Sequence, residues 1–184
     1  PYSRMLARDL SYDYTVNLQQ GKGATVSNIS RPDSSLFSLL FNCPARTDSV
    51  DPLRSFISLS PDSSFGNKLD LEFLINHVLP GYQIVLSEHQ MNMSGMWRAG
   101  GDILLPYALR LYQHPLVLLS AFYSDPAAAA VLTKRYFRYQ SEGHIPARAL
   151  QLARQSVFRD IDMHPSFWSG YMLYGYDNSI DDSE

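Results

Sequence analysis

Cysteine is nearly absent: of 184 residues, only Cys43 carries a thiol. A single cysteine cannot close an intramolecular disulfide. That excludes a disulfide-framed scaffold and favours a reducing, cytoplasmic setting. Charge is sparse too. Charged residues make up 18% of the chain, and the formal net charge is −3. With no basic run and no basic amphipathic stretch, neither nucleic acid nor an anionic membrane is an expected partner. Long apolar runs are missing as well. The longest, such as residues 127–132, fall far short of the roughly 20 residues that a membrane-spanning helix needs. The opening residues show no signal-peptide pattern, and no internal repeat is present. The chain starts at Pro1 in what reads as the end of a helix, so it is expected to be a piece of a larger protein.

What is present is globular. Hydrophobic residues reach 45%, and the length suits one domain with a sizeable core. Three short apolar runs each stop at a polar residue: Ser38-Leu39-Leu40-Phe41-Asn42, Tyr82-Gln83-Ile84-Val85-Leu86-Ser87 and Leu116-Val117-Leu118-Leu119-Ser120. They lack strict alternation, which predicts strands covered on both faces, as in a parallel sheet flanked by helices. An aromatic-rich fourth run spans residues 168–174 and ends at Gly175. A fifth, at residues 12–18, alternates and suits an edge strand.

Helical signals lie between these runs. Asp125-Pro126-Ala127-Ala128 combines an N-cap, a proline at the first helical position and strong helix formers. Ala128, Leu132, Tyr136 and Tyr139 follow at helical spacing, and Gly143 is a stop. Pro146 opens a second helix with Leu150, Ala153 and Val157 on one face. Residues 69–79 and 102–113 are further candidates, with Pro106 restricted to a first turn or a kink. Strands alternating with helices predict an α/β fold, a three-layer α/β/α sandwich around a mostly parallel sheet. The domain is expected over residues 1–175, lacking its N-terminal part, with an acidic tail at 176–184 that is disordered by composition. In such sheets a site forms beyond the carboxyl ends of the central strands. That groups residues 43–45, 87–89 and 120–125.

The run His164-Pro165-Ser166-Phe167-Trp168-Ser169-Gly170-Tyr171-Met172-Leu173-Tyr174-Gly175 closely resembles the closing signature of CHAT domains. These are caspase-like peptidase domains commonly found behind tetratricopeptide repeats. Upstream, Pro146-Ala147-Arg148-Ala149-Leu150 is similar to the family's Pro-Ala-x-Ala-Leu helix. Asp51-Pro52-Leu53-Arg54-Ser55 looks like the loop after its catalytic-histidine motif. The resemblance covers roughly residues 5–175 and implies a caspase-like sheet.

A caspase-type site needs a thiolate and an imidazole within hydrogen-bond reach. The family places histidine in a Phe-Ala-Cys-His-Gly motif and cysteine in a Leu-Ser-Ala-Cys motif, at the ends of neighbouring strands. On this sequence those motifs fall on Phe41-Asn42-Cys43-Pro44-Ala45 and Leu86-Ser87-Glu88-His89. The histidine position is Pro44 and the cysteine position is His89. The resemblance therefore implies a pseudo-protease with no catalytic residue. It would serve as a regulatory module that binds a protein or peptide, such as its own N-terminal repeat region or another caspase-like chain. Cys43 matches the family's non-catalytic cysteine and is expected to be a small buried hydrophobe. Successive side chains point to opposite faces, which turns Cys43 away from the side of residue 44. Two alternatives stay open: a cysteine peptidase with a rearranged dyad of Cys43 and His89, and a structural subunit of a larger assembly.

The remaining candidates have simpler roles. His77 reads as a helix-end residue, His114 as a loop residue and His144 as part of a turn. His164 reads as a residue that positions the last strand. No cofactor is expected. Asp160, Asp162 and His164 come nearest to metal-ligand spacing, but their alternation suits a loop. Met91, Met93, Met96 and Trp97 form a soft cluster expected to pack in the core or a lid, or to offer a pliable docking surface. Asp125 reads as an N-cap. The resemblance offers a second role for it, receiving a basic side chain of a bound peptide.

Overall fold

A computed structural model describes residues 2–31, 35–43, 45–46, 54–64, 66–77, 79–87, 89–90, 109, 116–120, 125–161 and 163–175. The central sheet has four strands: β1 (Ser38–Phe41), β5 (Gln83–Leu86), β7 (Leu116–Ser120) and β8 (Tyr171–Gly175), in the order β1-β5-β7-β8. The first two pairings are parallel and the last is antiparallel. Every residue of β5 and β7 is buried, which is why these strands read as continuous apolar runs without alternation.

Register explains how the sheet serves two cores. Leu40, Val85, Leu118 and Leu173 lie side by side across the four strands. All four face a helical layer made of α1 (Tyr2–Leu10), α4 (Pro126–Ser141) and α5 (Pro146–Asp160). One residue along, Leu39, Ile84, Val117 and, on the antiparallel β8, Tyr174 form a second row on the opposite face. That row packs against α2 (Val26–Ile29), α3 (Leu71–Asn76), Leu109 and the hairpin of β3 (Phe56–Asp62) and β4 (Gly66–Asp70). A one-residue slip of any strand would exchange its two sets of side chains between the cores. The result is an α/β sandwich of three layers. Each fully buried Leu, Ile or Val contributes about 1.5–3 kcal/mol relative to its exposed state.

The helices follow from their sequences. Asp125 caps α4, its carboxylate accepting from the amides of Ala127 at 2.9 Å and Ala128 at 3.1 Å. Ala128, Leu132 and Tyr136 then form the buried stripe, with Tyr139 packed beside it. Pro146 is the first residue of α5, which buries Leu150, Ala153 and Val157. At the start of β5, Gln83 is fully buried, and its side chain needs partners there. It accepts from the Tyr136 hydroxyl at 2.8 Å and donates to Gln140 Oε1 at 3.0 Å.

Four elements differ from the sequence reading. Residues 12–18 form a turn and then an irregular segment, because no described strand lies alongside to pair with them. Tyr14 instead anchors the segment to α4, donating to the Phe137 carbonyl at 2.8 Å. Helix α3 begins only at Leu71. Asp70 caps it, accepting from the Phe73 amide at 2.9 Å, and Leu69 belongs to β4. The aromatic run of residues 168–174 follows a 3₁₀ turn, Pro165–Phe167, and enters the sheet only at Tyr171. The β3–β4 hairpin was not anticipated. The candidate helix at 102–113 lies outside the described residues except for Leu109, which is helical and buried. The tail at 176–184 also lies outside them.

Candidate functional site

Parallel pairing brings the carboxyl ends of β1, β5 and β7 to one edge of the sheet, where Phe41, Leu86 and Leu119 are in register. Just beyond, β2 (Ala45–Arg46) and β6 (His89–Gln90) form a second parallel pair, with Ala45 opposite His89. The segments grouped by the sequence reading around residues 43–45 and 87–89 are therefore adjacent in space. Pro44, Glu88 and residues 121–124 lie outside the described residues, as does the cluster of Met91, Met93, Met96 and Trp97. The Asp51-Pro52-Leu53 loop and His114 lie outside them as well.

The strand ends are closed by a buried polar clamp. Ser87, 4% exposed, places its hydroxyl 3.1 Å from the Phe41 carbonyl oxygen and 2.9 Å from Asn42 Oδ1, and its amide donates to the same carbonyl at 3.1 Å. On the other side, the buried Tyr171 hydroxyl donates to the Ser87 carbonyl at 3.5 Å. Tyr171 is itself held from α5, since Arg154 donates to its carbonyl oxygen. Burial pushes the Arg154 guanidinium below its ordinary range. Within the clamp, each group is a hydrogen-bonded hydroxyl, amide or carbonyl. The arrangement joins β1, β5 and β8 and supplies no described base to activate Ser87.

Cys43 is half-buried and packs with Leu39 and Ile29 against the core that contains Ile57 and Phe41. It therefore lies on the hairpin face of the sheet. Together with Asn42, it also forms one end of a cavity of about 1010 Å³ that runs along β1. Sequence reasoning missed this cavity. Its signal was the intermediate character of β1, in which Ser38, Leu39 and Leu40 are only partly buried while β5 and β7 are wholly so.

The other candidates have local duties. Asp125 caps α4, and its side chain remains exposed. His77 closes α3 and stacks on Phe73 with ring centres 4.2 Å apart. His164 Nδ1 accepts from the Ser166 amide at 3.3 Å at the start of the 3₁₀ turn. Asp160 is taken by Arg159 at 2.7 Å and Arg135 at 3.1 Å. Hydrogen bonding to Arg159 holds its carboxyl below the usual aspartate range. Among the described residues, no group of three or more His, Cys, Asp or Glu could hold a metal ion. No described helix is long and apolar enough to cross a membrane.

The sandwich is an α/β fold around a mostly parallel sheet, and its caspase-like, peptidase-related reading comes from the family it matches. A family model for the CHAT domain matches residues 5–176, and the chain belongs to that family. No curated protein matches it.

Proposed function

We propose that this CHAT domain has no peptidase chemistry and works as a peptide- or protein-binding, regulatory module of a larger cytoplasmic protein. The observation that supports this reading most strongly is the pairing of Ala45 with His89 across β2 and β6. By the family's motifs, a cysteine belongs at position 89 and a histidine at position 44. Here those positions hold His89 and Pro44. Proline carries no proton to exchange, and imidazole is not the required sulfur nucleophile. The one thiol, Cys43, falls at the family's non-catalytic cysteine position and packs beside Leu39 and Phe41. A fold can keep a peptide-shaped crevice without these two groups, because its shape comes from strands and loops while cleavage needs particular side chains. Its partner is a protein or peptide, such as a tetratricopeptide-repeat region of the same protein or another caspase-like chain.

The test is peptidase activity of the chain on a broad peptide library, alongside Cys43→Ala. No turnover above a heat-denatured control is expected from either. Turnover that disappears in Cys43→Ala would overturn the reading.

A further inference from the structure

We draw no further inference here: the strongest candidate, the apolar surface patch at the C-terminal end of α5 where the exposed Phe158 and Met163 flank Trp168, carries none because nothing in the structure shows what covers it.

Discussion

Ala45 and His89 stand opposite one another in a parallel pair, just beyond the carboxyl ends of β1 and β5. The backbone thus holds the two loops side by side whatever side chains they carry. Chemistry at that spot depends on residue identity, because the sheet has already settled proximity. The buried clamp behind it, from Asn42 through Ser87 to Tyr171, keeps the strand ends aligned without a carboxylate or an imidazole of its own.

Ser87→Ala tests the clamp. It removes the hydroxyl shared by the Phe41 carbonyl and Asn42 Oδ1 while leaving the Ser87 amide bond to Phe41 in place. A stability loss of about 0.5–1.5 kcal/mol is expected, since the bond to Asn42 is lost while the Phe41 carbonyl keeps the Ser87 amide. Urea denaturation with an unchanged slope checks it.

Tyr136→Phe removes the donor that satisfies Gln83 Oε1 in the core. Gln140 stays within 3.5 Å of that oxygen and offers partial rescue. The expected cost is about 1–2 kcal/mol. In the double variant with Gln83→Leu, part of that loss is expected to return, because both partners are then apolar.

Asp125 separates a capping role from a ligand-receiving one. Asp125→Asn preserves an oxygen for the Ala127 and Ala128 amides and should leave stability nearly unchanged. Asp125→Ala should cost about 1 kcal/mol. Thermal melts of both variants decide the matter.

Asp62 gives a pH signature. Hydrogen bonds from the Ser27 side chain and from the Ser64 and Ser27 amides hold its pKa at about 2 in the folded chain. An unfolded aspartate titrates near ~3.9. Its contribution to stability is therefore full above about pH 4 and is lost as pH falls through the folded value near 2. Between pH 5 and pH 2, the urea midpoint of the parent chain should drop further than that of Asp62→Asn.

The central strands were legible because β5 and β7 are covered on both faces, and burial on both sides writes itself as an uninterrupted apolar run. Helices α4 and α5 were legible from Asp125, Pro126 and Pro146, where capping chemistry marks their starts. The hairpin was not, because most of β3 is half-buried and β4 presents Gly66, Asn67 and Lys68 to solvent, leaving little periodicity. Residues 12–18 misled in the opposite way. Tyr12, Val16 and Leu18 are exposed there and only Tyr14 is partly buried, so alternation did not mark a buried face, and it does not supply the neighbouring backbone that a strand requires. The adjacency of residues 43–45 and 87–89 came from motif order and parallel pairing together. The cavity along β1 had no sequence motif, since it arises where two cores meet a strand edge that has no partner strand among the described residues.

The most direct measurement of the central claim is the alkylation rate of Cys43 as a function of pH, in the parent chain and in His89→Ala. Slow alkylation at neutral pH is expected, with the same pH profile in both proteins and no reaction advanced below the ordinary thiol value of ~8.5. Rapid alkylation with a midpoint well below that value in the parent chain, abolished in His89→Ala, would reveal a working thiolate–imidazolium pair and contradict the account.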